Sequence, residues 1–401
     1  MLVVMRSLIV GIVNKMKKIC FLFVILLLSL IYGCRGKSDN KDVTLYADSI
    51  SISDSLMMLT PPMRNGAFNY DSIVEGISYL PLETNDSVLL SRIDDIKYFN
   101  GTIFIADYQH GKIFSFDEKG CFKGKIEDRG EGPKQYKRLC SFDIDSEDEK
   151  MYLLDGDLGN VHVYNFKMEL IEVIGLPVTF VDHLAFYDNK LFLELGFREY
   201  RENDEVAPNL LLYDLDKKLI KADYFHFHTD LKIHFKMQDP VTFSSYNDDL
   251  YYWSPLGHSV YKYNLSQFNK EIEYDLSSYE VPIEIFGKRF SEALKLMREH
   301  KYAYIDRYYE FDDWHYVRIS RVGSSAHYFY HKETGVGFLD VSFLKLSRQE
   351  NVIMPELFKF SNSVCCSYIS PEQYMKIVDE EFWPEINVDD NPILVFYELK
   401  T

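Results

Sequence analysis

The 401-residue chain carries none of the short motifs that announce hydrolytic or redox chemistry. It has no Gly-x-Ser-x-Gly elbow, no His-Glu-x-x-His helix and no Cys-x-x-Cys pair, so catalysis is left without support from motifs, though not excluded. Basic residues are also short, 44 against 62 acids, which gives a formal charge of -18. Because Arg6, Lys15, Lys17 and Lys18 sit in the first 34 residues with no acid beside them, the rest of the chain carries about -22. Such a body repels phosphate backbones, and nucleic acid is not expected as a partner. Glycine is modest at 20, whereas Tyr (30) and Phe (29) abound, a balance that excludes a disordered chain and favours strands, on whose pleated surfaces rings pack well.

No membrane-spanning run is apparent either. From Met16 the chain reads MKKICFLFVILLLSLIYGCRGKSDNKD, in which the apolar stretch Ile19 to Tyr32 is 14 residues long. A bilayer helix needs about 20, so the stretch fits the core of an export signal. Gly33 before Cys34, with Ile31 three positions ahead of the cysteine, resembles a bacterial lipobox, which implies that Cys34 is acylated and becomes the first residue of the mature protein. Residues 1–33 are then a signal peptide with its true start at Met16. Residues 34–68, polar, Ser/Asp-rich and broken by Pro61-Pro62, read as a flexible tether. The expected location is the cell envelope, with the lipid in the outer membrane and the body periplasmic or surface-exposed. With Cys20 lost and Cys34 lipidated, Cys121, Cys140, Cys365 and Cys366 allow three pairings. A Cys121–Cys140 bridge and four unbridged thiols both fit.

The remainder, 69–401, is repetitive. An apolar-aromatic run, a turn and a second run recur six times: TIFIAD/KIFSFD, KMYLLD/NVHVYN, KLFLEL/NLLLYD, DLYYWS/SVYKYN, AHYFYH/VGFLDV and SVCCSY/PILVFYEL. Ahead of each pair lies a further candidate strand (DDIKYF, SFDID, HLAFYD, TFSSYN, VRISRV, LFKFS), and after most lies a more amphipathic one. Four antiparallel strands per 40 to 50 residues is the pattern of a β-propeller. The expectation is therefore an all-β, six-bladed propeller. EGISYLPLE, residues 75–83, is expected to pair with the last blade and close the ring. Two insertions read as short helices: one around residues 281–304, with Ile285, Phe290, Leu294 and Leu296 toward one side, and one after Ser370, an N-cap ahead of Pro371.

The lipobox together with ISYLPLET, GTIFIAD, GEGPKQY, FDID and DDNPILVFYEL resembles the six-bladed β-propeller lipoproteins of Gram-negative gut-type bacteria, relatives of the NHL-repeat propellers. The likeness spans about residues 72–401 and implies a fold but no general activity. Where that family more often has Gly-x-Gly-Pro-Gly-Glu-Tyr, this chain keeps Gly130, Gly132, Pro133 and Tyr136 but has Lys134 and Gln135.

A glycine-rich GEGPKQY invites a phosphate-binding reading, but no Gly-Lys-Ser/Thr follows and a strand comes next, so a backbone corner is the better fit. His226, His228 and His234 invite a metal, yet the sequence offers no further ligand, and His-Phe-His suits an outer strand. Asp94-Asp95, Asp312-Asp313 and Asp389-Asp390 read as turn or strand-end acids. Propeller geometry instead nominates the leading residues of each inner strand around the central channel: Asp94, Asp95, Tyr136, Lys137, Arg138, Asp182, His183, Arg318 and Arg321. Their mixed charge suits a bound polar ligand and a solvated channel equally. No cofactor or metal is expected. Two functions compete: a monomeric binding module for a peptide, glycan or partner protein, and a propeller hydrolase or lyase with a metal in the channel.

Overall fold

Alternate residues of one strand, Ile103 and Ile105 against Phe104 and Ala106, are all fully buried, which requires apolar neighbours on both faces of the sheet. A ring of radially arranged sheets meets that requirement, and this is what forms. The structure is a computed structural model describing residues 46, 50–62, 72–201, 204–233, 241–340, 356–378 and 386–401. The export segment, Cys34 and His234 lie outside the described residues.

Two early strands, β1 (Ser51–Leu59) and β2 (Val74–Pro81), precede the repeats. The first blade is β3 (Asp95–Phe99), β4 (Thr102–Asp107), β5 (Lys112–Asp117) and β6 (Phe122–Ile126). The second is β7 (Leu139–Asp145), β8 (Lys150–Asp155), β9 (Asn160–Asn165) and β10 (Leu170–Gly175). The third is β11 (His183–Tyr187), β12 (Lys190–Glu194), β13 (Val206–Asp214) and β14 (Leu219–His228). The fourth is β15 (Phe243–Tyr246), β16 (Asp249–Trp253), β17 (Ser259–Asn264) and β18 (Gln267–Tyr274). The fifth is β19 (Ala303–Glu310), β20 (Trp314–Arg321), β21 (Ser324–His331) and β22 (Gly337–Asp340). The sixth is β23 (Phe358–Lys359), β24 (Val364–Ile369) and β25 (Ile393–Leu399), completed by β2. The protein is thus an all-β six-bladed propeller with two short helices.

The ring closes as the sequence predicts: β2 pairs antiparallel with β25, Ile77 opposite Tyr397 and Tyr79 opposite Val395. Asn391 reinforces the closure, donating from Nδ2 to the carbonyls of Glu83 (2.7 Å) and Val88 (2.8 Å) while its Oδ1 accepts from the Leu90 N–H (2.8 Å). Between neighbouring blades lie apolar layers, such as Ile105 and Phe114 with Phe358 and Leu394, or Phe104 with Met151 and Tyr164. Hairpins inside blades use primed turns, as at Asn100-Gly101, whose φ angles are 45° and 79°.

Three sequence expectations need correction. In the fifth blade VRISR belongs to the second strand, and the inner strand is AYIDRYYE, whose first two residues fall in the stretch read as a helical insertion and whose remainder the sequence pattern leaves unassigned. The pair AHYFYH/VGFLDV is accordingly third and fourth, not second and third. Part of the stretch read as a tether is in the sheet: β1 lies parallel to β18 as a fifth strand, Leu59 opposite Tyr274. As an outermost strand its Ser- and Asp-rich SISDSLMML buries only Leu59, so it shows no clear alternation. The helix Phe290–His300 packs through Ala293 and Met297 over Phe197, Phe227 and Ile285, whereas Phe290 is exposed. The helix Pro371–Ile377 is capped as expected, Ser370 and Gln373 forming a reciprocal box. All four described cysteines are free thiols, Cys121 exposed and Cys140, Cys365 and Cys366 buried.

The GEGPKQY corner is a closed backbone loop. Gly130 donates its N–H to the Tyr136 carbonyl at 3.0 Å, and the Gln135 side-chain oxygen accepts from the Gly132 N–H at 2.9 Å. A Cβ on Gly130 would stand 2.2 Å from that same oxygen, so a larger residue there would displace the Gln135 amide from the loop. The amide at Gln135 therefore fills an acceptor role within the loop, for which a carboxylate is not required.

Candidate functional site

Each blade starts at the channel and all inner strands run the same way, so one end of the channel gathers their leading residues and the other gathers their trailing ones. Side chains two apart on each inner strand face the axis. Asp95 and Lys97, Ser141 and Asp143, His183 and Ala185, and Thr242 and Ser244 accordingly line the channel together, whereas Phe243 packs in the apolar layer between the third and fourth blades.

At the leading end the channel is nearly filled. Asp94, Asp95, His183, Ser141 and Thr242 surround a pocket of about 40 Å³, too small for an organic ligand. Asp94 accepts from the Tyr108 N–H at 2.8 Å and pairs with Arg92. Asp95 accepts from the Ile96 N–H at 2.9 Å, and burial raises its pKa against the opposing pull of Lys97 and Arg307. Asp182 is held by Arg198 at 3.0 Å and sits over Gly196, whose φ is 62° and where a Cβ would lie 2.2 Å from the carboxylate. Beside it Glu194 is buried, accepting from Asn209 Nδ2 at 3.2 Å and the Gly196 N–H at 3.1 Å. Burial first, and then the Asp182 charge, push its pKa up to about 8.

Other nominated residues are elsewhere. Tyr136 is wholly buried, its hydroxyl donating to the Gly111 carbonyl at 2.7 Å and its ring edge-on to His162, so it wedges between the first two blades and does not reach the channel. Lys137 is exposed and fixed through its backbone, the N–H donating to Asp155 at 2.6 Å. Arg138 is bound to Asp157 at 2.7 Å. Arg318, on the second strand of its blade, is buried against Asp306 (2.7 Å) and Glu356 (3.4 Å) and lines neither cavity. Arg321 stacks on Tyr279, 4.4 Å from the ring centre. Of the nominated set, Asp94, Asp95 and His183 line the small pocket together.

Toward the trailing ends the channel opens into a cavity of about 730 Å³. Its walls carry Lys97, Asp143, Tyr309 and Lys359, the rings of Tyr98, Phe186 and Phe360, and the amides of Asn100, Asn247 and Asn362. Lys97 reaches Asp143 at 3.0 Å. Burial disfavours its ammonium, but Asp143 and Asp95 outweigh that and its pKa is raised. Asp143 in turn accepts from the Phe186 N–H at 2.8 Å, tying three blades together. Behind this wall Arg307 is buried, donating to the Leu357 carbonyl and to Glu356, both at 3.1 Å. With Arg318 nearby it helps burial lower the pKa of His327 to about 3, so that ring is neutral and bonded to the Tyr316 hydroxyl at 2.8 Å.

Sequence reading missed Lys97, Asp143, Ser244, Arg307, Tyr309 and Lys359. For Lys97 and Asp143 a signal existed: they lie two residues beyond Asp95 and Ser141 on strands already identified. Arg307 and Tyr309 were hidden by the misplaced inner strand, whereas Ser244 and Lys359 lay on strands already identified, TFSSYN and LFKFS, with nothing local to mark them.

Among the described residues no group of three or more His, Cys, Asp or Glu stands close enough to hold a metal ion. His226 and His228 lie on the outermost strand β14, with His226 at 3.1 Å from Asp223. No helix among the described residues is long and apolar enough to cross a membrane.

The profile of a family described as a domain of unknown function, DUF4934, matches residues 58–398. No curated protein matches the chain. Among solved structures, a Bacteroides fragilis protein described as exported superposes with a TM-score of 0.70 at 18% identity, covering 86% of this chain and 100% of its own. A Bacteroides vulgatus member of the DUF4221 family gives a TM-score of 0.53 at 12% identity, covering 82% and 97% respectively. At these identities the likeness is one of fold.

Proposed function

Given that the chain belongs to the DUF4934 family, whose description names no activity, we propose that it is an envelope-anchored binding module that takes a ligand into the wide cavity of its propeller. The observation carrying this reading is that cavity, about 730 Å³, in the range of small-ligand sites and lined by a mixture of rings, amides and charged groups. The inner strands that form it are clamped between blades by Asp143 and Arg307, so the site is preformed. A narrow, filled leading end directs any ligand to the opposite mouth.

The anchor belongs to the same reading. Acylation of Cys34 after removal of residues 1–33 would hold an NHL-like propeller at the outer membrane. The apolar stretch Ile19 to Tyr32 with Gly33-Cys34 supports this, as does the description of the Bacteroides fragilis relative as exported.

Glycan and peptide arrays probed with the purified protein test the binding function. Ligands captured by wild type should be lost on Ser245→Trp, which plugs the cavity. Turnover of a glycoside, lactone or peptide that disappears with substitution of channel residues would replace binding by catalysis. Fatty-acid labelling should vanish on Cys34→Ala, and its persistence would refute the anchor.

A further inference from the structure

The two ammonium groups of the wide cavity differ in a telling way. Lys97 is closed off by Asp143 at 3.0 Å. Lys359 has no carboxylate within ion-pair distance among the described residues: its Nζ donates to the Ser245 carbonyl at 2.7 Å and lies over Tyr246 and Phe311, 4.8 Å and 6.0 Å from the ring centres. The acids facing it are already engaged, Glu310 by His315 and Lys332 and Asp312 by the Tyr246 hydroxyl. Among the described residues, one cation in the cavity wall is thus left without a counter-charge. A second polar group is also unspent. Ser244 lines the same cavity, is 9% exposed, and its hydroxyl has no hydrogen-bond partner among the described residues. Buried polar groups ordinarily find partners, and each exception calls for an explanation, of which a bound ligand is one.

The rest of the wall is neutral and polar, interrupted by rings. Asn362 donates to Asn247 at 3.0 Å, leaving further amide positions, and Tyr98 stacks on Phe360 with centroids 4.3 Å apart. Such a lining suits a ligand with hydroxyls at its rim and apolar C–H faces, which is the surface of a pyranose ring.

We propose that the wide cavity binds a hydroxylated carboxylate, the uronic-acid unit of an oligosaccharide, with the Lys359 ammonium receiving the carboxylate and the Ser244 hydroxyl bonded to the sugar. This rests on the reading of the protein as a binding module and specifies its ligand.

Titration calorimetry on the purified full-length protein in detergent tests it, using oligogalacturonate, a neutral malto-oligosaccharide of equal length, and a flexible peptide ending in a free carboxylate. Oligogalacturonate should bind at least about tenfold more tightly than the neutral sugar, and Lys359→Gln should remove at least about that factor, the worth of one hydrogen bond to a charged group. Ser244→Ala should weaken the acidic sugar by a smaller factor. Affinity should also fall as pH rises through about 8, where burial places the Lys359 titration. A Lys359→Gln protein that melts like wild type and binds oligogalacturonate equally well overturns the proposal. Equal affinity for acidic and neutral sugars that Ser245→Trp abolishes overturns it while leaving the binding module intact. Capture of the peptide but neither sugar overturns the sugar assignment, and failure of all three together with blank arrays overturns the module itself.

Discussion

Replacing Asn391 by alanine should loosen the closure of the ring. The side chain is 2% exposed and makes three hydrogen bonds, to the carbonyls of Glu83 and Val88 and from the Leu90 N–H, at 2.7, 2.8 and 2.8 Å. Truncation leaves two acceptors and one donor without their partner beneath the β2–β25 seam. At about 1 kcal/mol for each lost bond the cost is about 3 kcal/mol, and more where the orphaned groups stay dry. In a domain of this size that lowers the melting midpoint by about 4 °C. Asn391→Asp should be at least as damaging, because it keeps the acceptor but turns a carboxylate toward two carbonyl oxygens. Asp389→Ala, an exposed neighbour, is the control and should change stability by less than about 0.5 kcal/mol. The measurement is thermal and urea unfolding followed by circular dichroism, with limited proteolysis between β1 and β2 reporting release of the closing strand. Alanine at 391 melting within about 1 °C of wild type, with unchanged proteolysis, would show that the strand pairing alone closes the ring.

Two further predictions concern titration. Glu194 has a folded pKa raised to about 8 from 4.5, so the folded state holds a proton that the unfolded chain has released. Stability from this group is complete below pH 4.5 and is lost as pH rises to about 8, and Glu194→Gln should flatten that part of a stability–pH profile; a slope unchanged in the variant would refute the assignment. Lys359 has the opposite effect, since burial lowers its pKa from 10.5 to about 8 and the unfolded chain binds the extra proton between those values. Wild type should therefore gain stability from pH 8 to 10.5, and Lys359→Met, which keeps the apolar stem, should be more stable at pH 7 by up to ~3 kcal/mol. A Met variant less stable than wild type at pH 7 would mean that the charge is compensated in the native protein.

The six-bladed architecture was legible because blades bury both faces. TIFIAD with KIFSFD, or KMYLLD with NVHVYN, have apolar residues at successive positions, and the short turns between them fix the spacing. Ring closure was legible for the same reason: ISYLP is a strand with no partner before it in sequence, and β25 has none after it. What failed was strand assignment at the edges of this pattern. The outermost β1 lacks a buried face, and the polar AYIDRYYE of β19 follows directly on a helix, so neither stood out from its surroundings.

The channel residues were harder to read for a different physical reason. Their position follows from strand period, but their role follows from partners supplied by other blades, and sequence separation hides those partners. Asp94, Asp95 and His183 were found because each opens a strand, and they prove to line the small pocket at the filled end. Lys359 is one of two residues in a minimal strand, and nothing local marks it as unusual; its lack of a counter-charge among the described residues emerges only when Glu310 and Asp312, about fifty residues earlier, are seen to be bound to His315, Lys332 and Tyr246. In a propeller the inner strand of one blade thus shares its environment with strands two blades away, as Lys359 does with Ser245 and Asn362 with Asn247. A ligand site built this way can change specificity through single inner-strand substitutions while the inter-blade layers that hold the ring remain untouched.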